Sequence, residues 1–457
     1  MSTLKYRKVA VLALVTTVGL GMAACSSSAK TAADKTVITV DCAPQKTDNG
    51  GKSLASWNAD IAKFQTIHPN IQIKSISVGA QCDTPADFTA RIQGGTQADV
   101  FYGYMTDLQQ VLDADAAEDI TSYINNDTVP AYGSISDIAK NAFKDGGKTY
   151  ALPYFSYAMG LVYNKTLFQQ AGLTMPHNPT WAQVESFAAK LNQPGKVSGI
   201  CLRGLAGWGD NMAALDTVVN TFGGQWFDMN WKPQLTSPPF VEATNFYVNL
   251  VRKYGEPGAA NDSFNQLLTL YGQGKCAMWY DATVAATSIA TTYPDVYKQT
   301  GYALAPVNKT KSSGWLWTWA LGIPQGASDS GAAWKFVSWA TSKQYDSLVA
   351  QKYSWSAVPP GTRTSLYSNP DYKKAAAPFA DITLESINST DPEHPTLNPV
   401  PYTGIQYVVI PQFESLGLTV GQQVAGAIAG TESVSQALQA GQSAASQYTP
   451  AQLSGSG

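Results

Sequence analysis

A two-lobed α/β protein is the architecture this sequence predicts, and three observations carry it. Beyond residue 35 about 420 of the 457 residues remain, more than the ~250 to 300 at which a single core stops growing. From Val37 to Phe101, short apolar β runs alternate with amphipathic helical patterns, the rhythm of a parallel sheet covered by helices. A long extended stretch, TYALPYFSYAMGLVY at 149–163, then leads into a segment richer in Trp and Gly, which marks a lobe boundary.

The chain opens with Lys5, Arg7 and Lys8, an apolar run from Val9 to Met22, and Met22-Ala23-Ala24-Cys25. This is the pattern of a secretory signal, residues 1–25, ending in a lipobox whose Cys25 takes a lipid. The apolar run is about 14 residues, short of the roughly 20 that span a bilayer. Residues 26–35, rich in Ser and Ala, read as a tether. The expected location is therefore extracytoplasmic, with Cys25 anchored in the outer face of a bacterial cell membrane.

In the first lobe, Val37–Val40 predicts a strand. Leu54, Trp57, Ile61 and Phe64 fall at helical spacing, and His68-Pro69-Asn70 stops that helix. Ile71 and Ile73 begin a second strand, Asp87–Gln93 a second helix, and Ala98–Phe101 a third strand. Past the long extended stretch, helices are expected over 180–191, 212–222, 240–254, 264–273, 331–341 and 420–429, with the segment KCAMWYDATV at 275–284 and a strand at 302–306. No internal repeat is apparent.

Composition bounds the partner. Charged residues make up only 14% and the net charge is -3 with no basic run, which argues against nucleic acid and favours an uncharged ligand. Setting Cys25 aside leaves Cys42, Cys82, Cys201 and Cys276. An even number in an oxidising compartment reads as two disulfides; of the three possible pairings, nearest neighbours favour Cys42 with Cys82 and Cys201 with Cys276. His68, His177 and His394 are scattered beside prolines and no CxxC occurs, so neither a metal nor another cofactor is expected. DADAAED at 113–119 lacks the glycine and the terminal glutamate of a calcium loop.

The tryptophans are more telling. Trp315, Trp317 and Trp319 alternate in GWLWTWALGIP, and a strand there puts all three on one face. Trp208 sits in GWGDN, Trp279 in AMWYD and Trp355 in SWSAVPPGTR. Indole faces beside amides and carboxylates suit a sugar or polyol, whose C–H faces stack while its hydroxyls need directed partners. No GxSxG, HExxH or P-loop pattern is present, and no enzyme activity is expected. Asp210 and Asp281 are the one carboxylate pair that glycoside hydrolysis could use.

The motifs GICLRG, GWGDNMA, WFDMNWKPQL, GKCAMWYDATVAA, WLWTWALGIP, AAWKFVSWATSK, VPPGTRTSLY and PVPYTGIQYVVIPQF, between about Tyr150 and Ala440, resemble the sorbitol/mannitol branch of the extracellular solute-binding proteins of ABC importers, family 1, the maltose-binding-protein-like family. The resemblance implies a periplasmic-binding-protein-like fold (type II), with a ligand cleft between lobes joined by a multi-strand hinge. It implies crossings near 154–160, 302–307 and 351–358, hence an N-terminal lobe of 36–155 plus 307–350 and a C-terminal lobe of 156–306 plus 351–450. Its partners would be a small neutral polyol or sugar and membrane permease subunits, the protein itself acting as a monomer. A di- or oligosaccharide is the alternative ligand.

Residue roles follow motif by motif. Arg203, with five donors in a fixed fork, would serve adjacent hydroxyl oxygens, and Arg363 would be a second cationic clamp. Asp210, Asn211 and Asp281 would accept hydroxyl protons. Trp208, Trp315, Trp317 and Trp355 would form stacking walls, and Tyr402 of PVPYTGIQY completes the set. Arg203 and Arg363 could instead pair structurally with Asp281 or Asp210. Where many relatives carry a glutamate in the first crossing, this chain has Tyr157, which puts ligand stereochemistry in question. The Cys201–Cys276 pair is like that of the polyol branch; Cys42 and Cys82 are not part of its pattern.

Overall fold

The computed structural model describes residues 35–46, 52–77, 98–104, 112, 115–126, 132–311, 313–358 and 363–454. Strand β1 (Thr36–Val40) is followed by helix α1 (Lys52–Ile67) and strand β2 (Ile71–Ser75), with β1 and β2 parallel. Val40 also bridges Val100 in parallel, just before β3 (Phe101–Tyr104). The helical spacing of α1 turns Ile61 and Phe64 into the core, where the Phe64 ring meets Phe336 edge-on at 5.2 Å. The expected helix at 87–93 lies outside the described residues.

A small hairpin, β4 (Lys144–Asp145) with β5 (Lys148–Thr149), leads into β6 (Ala151–Asn164), a single strand of 14 residues. Beyond it come α2 (Trp181–Leu191), α3 (Ala213–Phe222), α4 (Pro238–Tyr254), α5 (Phe264–Gly272), β7 (Met278–Ala282) and β8 (Thr300–Leu304). Local chemistry sets several of these ends. Thr180 and Gln183 form a reciprocal capping box on α2, a device that stabilises a helix start by about 1 kcal/mol. Gly223, at φ +84°, closes α3 in the left-handed region that only glycine enters freely.

Strand β9 (Leu316–Gly322), helices α6 (Ser330–Ala340) and α7 (Lys343–Lys352), and two late helices, α8 (Phe413–Ala429) and α9 (Val434–Ala445), complete the labelled frame. Sheet order is β3-β9-β6-β7, with β8 also paired to β6. The purely parallel sheet expected from the early rhythm is thus only partly realised. Strand β9 comes back from the second half of the molecule and runs antiparallel to both β3 and β6.

Strand β6 belongs to both halves. Ala151–Ala158 pairs with β9, whereas Met159–Tyr163 pairs with β7 and Gly160–Asn164 with β8. One core gathers Ile38, Val40, Phe64, Leu152, Leu321 and Phe336 around the first lobe. A larger one gathers Met159, Leu161, Trp181, Tyr247, Tyr280 and Phe413 around the second. The protein is therefore two α/β lobes joined by shared strands, with a cleft between them. Residues 307–315, expected with the first lobe, contact the second: Val307 bridges Thr180, Lys309 N donates to Thr221 O, and Trp315 packs in the larger core.

Candidate functional site

The site begins where the hinge strands face the second lobe. Tyr157 on β6 is in register with Trp317 on β9, and Phe155 with Trp319. Alternation along β9 buries Leu316 and Thr318 and leaves Trp317 and Trp319 half-buried on the other face. Strand β9 starts at Leu316, so Trp315 stands just ahead of it rather than within it. All three indoles nonetheless line one cavity, with Tyr157, Arg203, Gly207, Trp208, Gly209, Asp210 and Ala213. Its volume is about 260 Å³, just under the roughly 300 to 1,000 Å³ of sites for drug-sized molecules.

Arg203 ends a short extended segment that runs beside β7. Cys201 N donates to Met278 O, Cys201 bridges Trp279, and the Cys201–Cys276 disulfide, with Cα atoms 5.8 Å apart, joins the two segments. Cys42 is also disulfide-bonded, while Cys82 and Cys25 lie outside the described residues. The Arg203 guanidinium donates Nε–H to Asp281 Oδ2 at 2.9 Å, Nη2–H to Oδ1 at 2.6 Å, and Nη1–H to Gly209 O at 2.8 Å. Trp315 lies under it at 5.5 Å, near enough for cation–π attraction. Burial alone would disfavour the charge, but Asp281 outweighs it, so Arg203 is held above its ordinary value and stays charged. Three of its five donors are committed, which leaves two for something else.

Asp281 itself is fully buried. Besides the two Arg203 bonds it accepts from Trp279 Nε1 at 3.1 Å and from the Ala282 backbone N at 2.7 Å. It is a support for Arg203, not the exposed hydroxyl acceptor expected from the sequence.

The floor is a π-helical turn, Trp208–Met212, in which Asp210 takes a non-helical backbone (φ -101°, ψ -105°). Asp210 lines the cavity and accepts a short hydrogen bond from Ser263 Oγ. A Cβ on Gly207 would stand 2.4 Å from Asp210 Oδ2, so a side chain there would push the Asp210 carboxylate from its place. Asn211, expected at the ligand, is instead buried behind the turn. Its Nδ2 donates to Gly421 O at 2.8 Å and Gly204 O at 3.3 Å, and its Oδ1 accepts from Gly207 N.

Three other expected contacts also lie outside the lining. Trp355 is half-buried in a short 3-10 turn packed with Ala286 and Val358. Arg363 is buried, donating to Ser134 Oγ at 2.7 Å and lying 3.9 Å from Asp346, which is the structural pairing of a buried cation rather than a ligand clamp. Tyr402 is a core residue whose hydroxyl accepts from Trp226 N at 3.0 Å. Trp319 joins the lining as the third of the alternating indoles, and Ala213 joins it with no signal in the sequence. Ala213 is the first residue of α3, directly after the turn that carries Asp210.

Among the described residues no cluster of three or more His, Cys, Asp and Glu could hold a metal ion, and no helix is long and apolar enough to cross a membrane.

Residues 48–346 match the family model described as bacterial extracellular solute-binding protein. The mannitol-binding protein of Pseudomonas aeruginosa is 46% identical over 321 residues, covering 69% of this chain and 73% of that one. A crystal structure of an ABC transporter solute-binding protein from Agrobacterium vitis S4 with bound D-mannitol superposes with a TM-score of 0.83 at 39% identity, covering 90% of this chain and 97% of the other. A ribitol complex of a solute-binding protein from Agrobacterium radiobacter K84, at 22% identity and a TM-score of 0.75, shares the fold over 91% and 99% of the two chains. An indole-lined cavity between two α/β lobes thus sits in a chain that belongs to the bacterial extracellular solute-binding protein family.

Proposed function

We propose that this protein captures a small linear polyol of the mannitol, sorbitol or arabitol kind in its cleft and delivers it to the permease of an ABC importer. One observation carries the reading. A charged Arg203 with two donors to spare, the Asp210 carboxylate and the Tyr157 hydroxyl meet in one cavity walled by indoles, in a chain whose relative of 46% identity is a mannitol-binding protein. Vicinal hydroxyls need both a donor fork and an anionic acceptor, and the C–H faces between them stack on Trp208 and Trp317. The small cavity favours a monomeric polyol or monosaccharide over an oligosaccharide.

Capture proceeds without covalent chemistry. Ligand settles on the indoles and the Arg203–Asp210 pair of the second lobe; the first lobe then swings in about the strands shared with β6, because contacts to both lobes exist only in the closed form. Asp281, the one partner Asp210 had for hydrolytic work, is locked to Arg203 and fully buried, which supports binding rather than catalysis. We assign the lobe change to Ala158–Met159, to the segment between β8 and β9, and to the end of α7. In the cell, a lipid on Cys25 would hold this monomer beside its permease.

Calorimetric titration with D-mannitol, D-sorbitol, ribitol and maltose tests the proposal, with the recovered ligand checked by NMR. A polyol bound near micromolar, about -8 kcal/mol, and returned unchanged is the expected result. Binding of maltose alone, or conversion of any ligand, would overturn it.

A further inference from the structure

We infer that Gly417, on a helix outside the cavity, determines ligand length, because it sets how far the Trp208 indole reaches into the site. The inference rests on the cavity being the polyol site. Helix α8 lies against the 208–212 turn, and its Gly417 and Gly421, four residues apart, stand on the side that meets it. A Cβ at 417 would stand 2.7 Å from the Cβ and 3.3 Å from the Cα of Trp208. At 421 it would stand 2.7 Å from Asn211 Oδ1 and 3.0 Å from Gly207 N.

Trp208 meets Gly417 through its Cα and Cβ, so no change of rotamer can relieve an added methyl group. Carbon atoms pack at ~3.5 to 4.0 Å, so the base of the tryptophan must retreat by roughly 1 Å. The turn cannot slide along α8, since Asn211 Nδ2 is bonded to Gly421 O at 2.8 Å. Ser263 on Asp210 and Arg203 on the Gly209 carbonyl fix the later residues of the turn, so the shift falls on Trp208. Trp208 stands between α8 and the cavity, its ring 5.8 Å from that of Trp317. The direction left open is away from α8, toward Trp317, and it narrows the site.

The test is G417A in the full protein, titrated with D-mannitol, six carbons long, and erythritol, four. Acrylamide quenching of tryptophan fluorescence is measured alongside on the ligand-free protein, with and without W208F. We expect mannitol affinity to fall about tenfold or more, some 1.4 kcal/mol, while erythritol affinity changes less than threefold. Quenching should change in G417A and not when W208F is also present. G426A is the control on the same helix; its methyl group meets the side chains of Glu432 and Thr431, and both affinities should hold. Should G417A fail to fold, G421A carries the same measurements. Equal weakening of both ligands, no weakening of either, or unaltered quenching overturns the role of Gly417. A wild-type protein that binds no polyol overturns instead the reading of the cavity.

Discussion

Asp281 grips Arg203 through both carboxylate oxygens, at 2.6 and 2.9 Å, while itself fully buried and also bonded by Trp279 and its own neighbour Ala282. The pair converts a long, mobile side chain into a fixed fork. What look in the sequence like two separate ligand contacts are one cavity-lining cation and its mount.

Removing the mount should harm both fold and function. Replacing Asp281 by Asn leaves a buried guanidinium without its counter-charge, a change that typically costs about 3 to 5 kcal/mol. Urea unfolding of D281N should show a loss of that order together with weakened polyol binding. Weakened binding at unchanged stability would mean that Asp281 touches the ligand directly.

The indole wall should behave differently. Trp317 is only half-buried on β9, so W317A should keep the fold, with a melting temperature within a few degrees of wild type. Loss of one stacked ring should still weaken polyol affinity by roughly tenfold, about 1.4 kcal/mol. Calorimetry decides it, and an unaltered dissociation constant would remove Trp317 from the site.

The Cys201–Cys276 bridge closes a separation of 75 residues and lies two residues from Arg203. A double C201S/C276S variant should lose about 2 to 4 kcal/mol of stability. Its polyol affinity should fall as well, because the segment carrying Arg203 loses its staple to β7. Full affinity in the variant would confine the disulfide to a stability role.

Glu256 predicts a pH dependence unconnected with ligand. Burial, with Asp262 adding its charge, pushes its carboxyl up to about 8 from an ordinary 4.5, its own backbone N–H opposing only in part. The folded protein therefore holds a proton that the unfolded chain releases. Stability from this group is complete below about pH 4.5 and is lost as pH rises through about 8. E256Q should remove that loss, gaining on the order of a few kcal/mol over wild type at pH 8 to 9. Thermal melts at pH 5 and pH 9 give the answer; parallel behaviour of the two proteins would contradict it.

These cases also mark how far the sequence could be read. Periodicity located α1 and α2 closely, since a buried stripe at helical spacing has few other solutions. The alternating tryptophans gave the wall, because a strand fixes which residues share a face. What could not be read was the side of the wall on which a polar residue lies. Arg203 and Asp281 are 78 positions apart, and only folding reveals that one faces the cavity and the other stands behind it. Asn211 adjoins Asp210, yet one turns to the backbone of α8 and the other to the site. Tyr402 and Arg363 have the composition of ligand contacts, but packing partners distant in sequence claim their polar groups. Gly417 carried no chemical signal at all, since its importance lies in a side chain it lacks.

The measurement that bears most directly on the central claim is a crystal structure of the protein grown with D-mannitol. Density for the polyol between Arg203, Asp210 and the indoles of Trp208 and Trp317, with the lobes closed over it, is the predicted result. Mannitol bound away from these residues, or a cleft that stays empty at saturating ligand, would contradict it.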